Sequence, residues 1–301
     1  MTTKQIYESI DEGNSLKDIA QAYSEIASIK LKRIRSEVER NRDFFSDITA
    51  IYKLVKFVAA LKGITLGRKP KAVVSVVLTS NYRFYGNINN DLVRFFKVKS
   101  ATMLTDRIII GRTGSETLRS SGYSHSYQTV FFKKDLPSDL EMRQLVNMVK
   151  DYRQVLIYYS QLKSVLVQKS AVKDITQTPI LNPIQLAPKD GTKYQNILSY
   201  IASFNSNPKT QKSYDFIFEP DIEKMLDFFE NQIKTLLLEQ TFLESELART
   251  ASRLISMDNA QQNATKFIGD QNKLLGIAKR SLVNIRMLDT YAALYSWRLH
   301  Q

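Results

Sequence analysis

The side chains that most often carry chemistry are scarce in this chain. It has two histidines, His125 and His300, far apart in sequence, and no cysteine. Thiolate nucleophiles, disulfides and Cys-based zinc or iron–sulfur sites are therefore excluded, and the histidines match no metal spacing. None of the 10 glycines is followed by lysine, so the phosphate-cradling loop GxxxxGK[ST] is missing. Gly111-Arg-Thr-Gly114 follows an apolar run but lacks the third glycine of a dinucleotide fingerprint, and it reads as a tight turn. Ser80 has no histidine to activate it, so a Ser–His–Asp system is unsupported. Carboxylates are plentiful, yet no spacing singles out an acid/base pair, and charged helix faces account for them. No catalytic, cofactor or metal site is expected.

A net charge of +13 over 301 residues asks instead for an acidic partner: nucleic acid, an anionic membrane surface or an acidic protein. Lys30, Lys32, Arg33, Arg35, Arg40 and Arg42 crowd one stretch diluted only by Glu37 and Glu39. A solvated helix face explains that run as well as an interface does. Phe95, Phe96, Tyr82 and Tyr85 could stack on bases, but no nucleic-acid recognition motif accompanies them and they follow core periodicity. The start of the chain lacks an apolar signal core, and no run of about 18 apolar residues exists to span a bilayer. An intracellular, soluble protein is the expectation.

The elements that must position any interface are legible from proline. All 7 prolines lie between Pro70 and Pro220. Proline costs about 3 kcal/mol inside a helix, so residues 1–69 and 221–301 are free to form long helices. In the second of these, Ile222, Met225, Leu226, Phe229, Ile233, Leu236 and Leu237 recur at three- and four-residue steps, and the pattern runs on to Leu288. Glu219-Pro220-Asp221 makes a good helix start. About 80 residues at 1.5 Å each reach roughly 120 Å, too long for the apolar stripe to be buried by one small domain. The partner is the N-terminal helix, with Ile6, Ile10, Leu16, Ile19, Tyr23, Ile26, Ile29 and Ile34 as its stripe. Two helices leaving one central domain pair as an antiparallel coiled coil, in preference to an ordinary bundle.

The middle reads as α/β. Ala72–Thr79, Arg107–Gly111 and Thr129–Phe132 are strand-like, the first with the continuous β-branched character of a strand buried on both faces. Asn89–Phe96 and Leu140–Tyr159 have helical periodicity, which predicts a small, mainly parallel, Rossmann-like sheet with crossover helices. Asp174–Pro208 reads as a loop-rich excursion. The expected domains are 1–69, 70–214 and 215–301.

Five segments, in order, give this layout a family. Ile19-Ala-Gln-Ala-Tyr-Ser-Glu-Ile-Ala-Ser-Ile-Lys30-Leu31 resembles the N-terminal helix pattern of the gamma subunit, the central rotor shaft, of F-type ATP synthases. Ser80-Asn-Tyr-Arg-Phe-Tyr-Gly86-Asn-Ile-Asn89 is similar to that family's SD-x-GLCG-xx-N, and Ile108–Arg112 to its IIGRKG. Phe216-Ile-Phe-Glu219-Pro220 is similar to its YxxEP. Leu243-Glu244-Ser245, Ala251, Arg253 and Met257-Asp-Asn-Ala-Gln-Gln-Asn263-Ala264 resemble LES-xx-SE-xx-ARM-xx-MDNAT-x-NA, the most specific stretch.

The resemblance implies a non-catalytic shaft turning inside a hexamer of alpha and beta subunits, with no nucleotide site of its own. Ala251, Met257, Ala260 and Ala264 would pack the two helices closely. Leu274, Leu275, Leu288, Leu294, Tyr295 and Trp297 would sit in the ring's apolar collar, packing on the chain's own N-terminal helix being the alternative for the tail. Lys30, Lys32, Arg33 and Arg35 would face acidic ring segments. Ser80, Asn81, Arg83, Tyr85 and Asn89 would meet an epsilon-like subunit or the membrane c-ring, which makes the complex cytoplasmic and peripheral at the membrane.

The chain also departs from the family. Leu275-Gly276 and Arg280-Ser281-Leu282 replace polar residues that contact a catch loop of the catalytic subunits, so the resemblance does not carry that latch over. Asn81, Arg83 and Tyr85 replace Asp, Gly and Cys, and Arg249 replaces the Glu of the SE pair. The tail runs past the family's usual end to Tyr295–Gln301. Divergence of this kind is similar to that of F-type-like ATPases of certain wall-less bacteria, some associated with gliding or surface machinery. The Lys-, Ile-, Asn- and Tyr-rich composition suits such an AT-rich genome.

Overall fold

The computed structural model describes residues 2–61, 71–176, 219 and 221–299. Its elements are α1 (Thr3–Leu61), β1 (Lys71–Leu78), α2 (Ile88–Ser100), β2 (Asp106–Ile110), α3 (Arg112–Ser120), β3 (Gln128–Val130), α4 (Asp139–Val149), β4 (Tyr152–Leu162), β5 (Gln168–Asp174) and α5 (Ile222–Leu299). The chain divides into two compact units, Met1–Lys30 with Ala251–Gln301, and Leu31–Thr250. Phe216, Pro220 and nearly all of the proline-rich excursion lie outside the described residues.

In the unit Leu31–Thr250 the five strands are ordered β3-β2-β1-β4-β5. All neighbours are parallel except β4 and β5, which form an antiparallel hairpin. The pleat sorts their side chains onto two faces. Val74, Val76, Leu78, Ile108, Ile110, Val155, Ile157 and Tyr159 pack with Tyr52, Val55, Ile222, Leu226, Ile233 and Leu237 of the long helices and with α4. Val77, Ile109 and Tyr158 turn the other way, onto Leu92, Val93 and Phe96 of α2 and Leu118 of α3. Tyr152 ties β4 to β2 across β1, its Oη donating to Asp106 Oδ2 at 2.6 Å. Burial first, then that carboxylate, pushes the Tyr152 phenol up to about 12.

Two sequence expectations are corrected here. Leu140–Tyr159 is not one helix: α4 ends at Val149, and the chain re-enters the sheet as β4. The run Val155-Leu-Ile-Tyr-Tyr159 is apolar and partly β-branched, and pairing with β1 buries it on both faces, which overrides the helical period. Gly111-Arg-Thr-Gly114 is not a bare turn either, because it opens α3. Gly111 takes φ 98° just before that helix, and Gly114 N donates to Thr79 Oγ1 at 3.0 Å.

α4 begins with a capping box, in which Ser138 Oγ accepts from Glu141 N and the Glu141 carboxylate accepts from Ser138 N. Backbone donors at Ser138 and Lys133 hold the Glu141 carboxyl below its ordinary value. A depressed acid contributes stability above its unfolded pKa and loses it as pH falls through the folded one. Ser138→Ala should therefore cost about 1 kcal/mol at neutral pH in urea denaturation, with a smaller cost at pH 3.

Candidate functional site

In the unit Met1–Lys30 with Ala251–Gln301, antiparallel pairing is direct. Lys279 Nζ lies 5.3 Å from the Tyr7 ring centre, and Arg253 Cζ lies 5.7 Å from that of Tyr23. Between them Gly13 abuts α5 so closely that a Cβ there would come within 2.9 Å of Ile268 Cγ1. Ile6, Gly13, Ala20 and Ala27 are all buried and recur every seven residues, the period of a coiled-coil seam. Ala251 and Met257 are buried on α5, while Ala260 and Ala264 are half-buried.

The seam of this unit is built largely from small residues, and the expected large-residue stripe is corrected in part: Ile6 and Ile34 are buried and Ile10 and Tyr23 half-buried, but the rest turns outward. Leu16, Ile19, Ile26 and Ile29 are exposed. A seam of glycine and alanine brings the backbones close, and a larger side chain at those heptad positions would hold them apart. The sequence signal was present as Ile6-x6-Gly13-x6-Ala20-x6-Ala27, but a search for bulky apolar residues passes over it. On α5, Leu274, Leu288, Leu294 and Trp297 are exposed and Leu275 is buried. The Tyr295 side chain lies outside the described residues.

In the other unit, Ile34 and Val38 pack on Leu243 and Leu247. The basic run is partly matched on its own helix, Arg33 Nε to Glu37 at 3.1 Å and Arg35 Nε to Glu39 at 3.4 Å. Lys32 is exposed and Lys30 half-buried, and the Arg42 side chain is outside the described residues. Exposed pairs of this kind contribute only about 0.2–1 kcal/mol each.

The segment after β1 is organised chiefly by this chain's own bonds. Ser80, Tyr85 and Asn89 are buried, Asn81 is half-buried and Arg83 is exposed. Asn89 Nδ2 donates to Ser80 Oγ at 2.8 Å, and Asn81 Nδ2 to Phe132 O at 2.9 Å. Asp135 accepts from Asn81 N and from Tyr85 Oη, each at 2.6 Å. Tyr82, Arg83, Phe84, Gly86 and Asn87 are exposed, with Arg83 reaching Glu116 at 3.2 Å.

Strand order reverses between β1 and β4, where doubly wound sheets take nucleotides at the carboxyl ends of their strands. Here Tyr85, Ile88 and Leu162 meet Ala248 of α5 at that end. Beside it α5 carries buried polar side chains. Arg249 donates to Glu246 Oε2 at 2.8 and 3.1 Å and to Ser245 Oγ at 3.0 Å. Burial and then the Glu244 charge push the Tyr159 phenol up, while burial, opposed by Glu244, pushes Lys173 down. Among the described residues no group of three His, Cys, Asp or Glu could hold a metal ion, and no helix is long and apolar enough to cross a membrane.

Comparisons agree with this geometry. The ATP synthase family model matches residues 2–275. The chain is 21% identical to the ATP synthase gamma chain of Salinibacter ruber over 308 residues, covering 95% of each. It is 24% identical to that of Staphylococcus saprophyticus, covering 89% of each. Its fold is similar to a chain of the rotor of the Euglena gracilis mitochondrial ATP synthase, with TM-score 0.56, 14% identity, and 93% of this chain and 99% of that one covered. A chain of the Tetrahymena thermophila mitochondrial central stalk and c-ring gives TM-score 0.55 at 18% identity, covering 80% of this chain and 99% of that one. The family model over most of the chain and the matched length of the curated gamma chains place this chain in the gamma-chain family of ATP synthases.

Proposed function

We propose that this chain is the central rotor shaft of an F-type rotary ATPase, coupling nucleotide turnover in a ring of alpha and beta subunits to rotation. The observation that carries the reading is the outward apolar surface of the two-helix unit: Leu16, Ile19, Ile26 and Ile29 on α1, and Ile277, Leu282, Val283, Ile285 and Leu288 on α5. A surface this greasy marks an interaction site, and a ring that encloses the helices would cover it. Smooth apolar contact resists turning less than specific hydrogen bonds would, as a bearing requires. The chain supplies no catalytic group, and bond cleavage takes place in the ring. The central unit is read as the end that meets an epsilon-like subunit and a membrane c-ring, with Arg83 and its exposed neighbours as the contact, and with no part of the chain inserted in the bilayer.

The test is reconstitution. Alone, the chain should show no ATP binding by calorimetry. Co-expressed with alpha and beta subunits of an F-type ATPase, it should purify as one copy per hexamer, and a bead on the central unit should turn during hydrolysis. A hexamer that hydrolyses ATP while the bead stays still would overturn the reading.

A further inference from the structure

We propose that the cleft between the start of α4 and the middle of α5 takes an alkylammonium group, the chemistry of a lysine side chain on a partner segment. The cleft has a volume of about 390 Å³, within the roughly 300–1,000 Å³ of small-ligand sites. Met142, Phe242 and Leu243 make an apolar floor, and Asp139, Arg143 and Glu239 stand exposed on the rim. The floor is preformed. Phe242 packs on Phe132 with ring centres 5.9 Å apart, Met142 belongs to the core under the sheet, and Leu243 packs on Ile34 and Val38 of α1. The capping box fixes the first turn of α4 and consumes Glu141.

Two acids of this cleft are left unmatched. Among the described residues neither Asp139 nor Glu239 forms an ion pair, with Arg143 or with any other cation. Asp139 at least has the positive end of α4 behind it. Glu239 lacks such support, because its α5 neighbours three and four positions away are Thr235, Leu236, Phe242 and Leu243. Partial burial in the cleft, then the Asp139 charge, raises the Glu239 carboxyl above its ordinary value. On a chain of net charge +13, this spot is short of positive charge. The floor then selects the shape of the cation. One ammonium on an aliphatic stem lays its methylenes on Met142 and Phe242 and keeps its head at the rim. A polyamine would strand a second charge on that apolar floor. Arg143 competes for the same acids, so it tunes the affinity downward. The site stands whether or not the chain turns in a ring.

Methionine-methyl NMR of the full chain reads the cleft, because Met142 lies in its floor and Met142→Leu identifies its signal among the 7 methionines. n-Hexylammonium should move the Met142 signal with a dissociation constant on the order of 1 mM, while the exposed Met103 and Met287 stay put. n-Hexanol, equally long but uncharged, should bind about fivefold more weakly. Glu239→Gln should weaken hexylammonium about threefold, and Glu239→Gln with Asp139→Asn about tenfold. Arg143→Gln should tighten it about twofold. All three are rim side chains, so melting temperatures should not move. The peptide Gly-Gly-Lys-Gly-Gly, blocked at both ends, should compete with hexylammonium, and its Nε-acetylated form should not. A Met142 signal unmoved by hexylammonium would overturn the proposal. So would equal binding of hexanol, or a Glu239→Gln variant that binds like the parent, because the cleft would then be merely apolar. A lysine peptide that fails to compete while hexylammonium binds would sink the lysine assignment.

Discussion

Gly111→Ala should destabilise the central sheet by about 3 kcal/mol or more, enough to lower its urea midpoint severely. Two effects add. Gly111 holds φ 98° and ψ 148°, a region essentially closed to side chains and costing roughly 1–3 kcal/mol. An alanine Cβ would also lie 2.5 Å from Thr79 O, which is backbone and cannot swing aside. Retreat of either segment breaks sheet bonds, since Thr79 N donates to Ile110 O at 2.9 Å and Gly111 N to Val130 O at 3.1 Å. Gly122→Ala is the control. It also has positive φ, 61°, but nothing lies within 4 Å of its added Cβ. Its cost should stay near 1 kcal/mol, the left-handed penalty alone. Equal midpoints for the two variants would show that the close approach of Gly111 to Thr79 is not a feature of the folded chain.

That glycine also marks how far the sequence carries. Gly111-Arg-Thr-Gly114 advertises a sharp bend, because only glycine readily takes such backbone angles. Nothing local says that the next nine residues form α3, whose support comes from Leu118 packing under β2. β4 was hidden for the same reason: Leu140 to Tyr159 keeps a helical period in isolation, and only the parallel partner β1 decides between helix and strand. The long helices were legible because an absence of proline is a local property of each segment.

The candidate surfaces divide likewise. The proposed bearing rests on apolar residues continuing toward the end of a helix, a pattern visible in the sequence alone. A seam made of Gly13, Ala20 and Ala27 has little hydrophobic signal, because its selection is steric. The Asp135 bonds to Asn81 and Tyr85 join residues of no shared motif, and they depend wholly on tertiary placement.

The second large effect concerns the far end of α5. Lys279 sits over Tyr7, and α1 begins at Thr3, so antiparallel register leaves the α5 residues beyond about 283 without an α1 neighbour among the described residues. Residues 281–294 are all exposed, and Trp297 is 63% exposed, so the described structure does not place this tail against α1. Replacing Leu288, Leu294 and Trp297 with serine should leave the melting temperature of the free chain unchanged, because these side chains stabilise nothing within it. Its effect should emerge on assembly. Fully burying one large apolar side chain is worth roughly 1.5–3 kcal/mol, so even partial enclosure of three totals about 3 kcal/mol. Affinity for the alpha–beta ring should then fall on the order of a hundredfold. Trp297 is the only tryptophan, so its emission reports the tip alone in the parent chain. Adding the ring should shift that emission to shorter wavelength and shield it from iodide. Unchanged emission and quenching would mean that the tip is not enclosed. A lowered melting temperature in the free triple variant would instead show the tail folded onto its own helix.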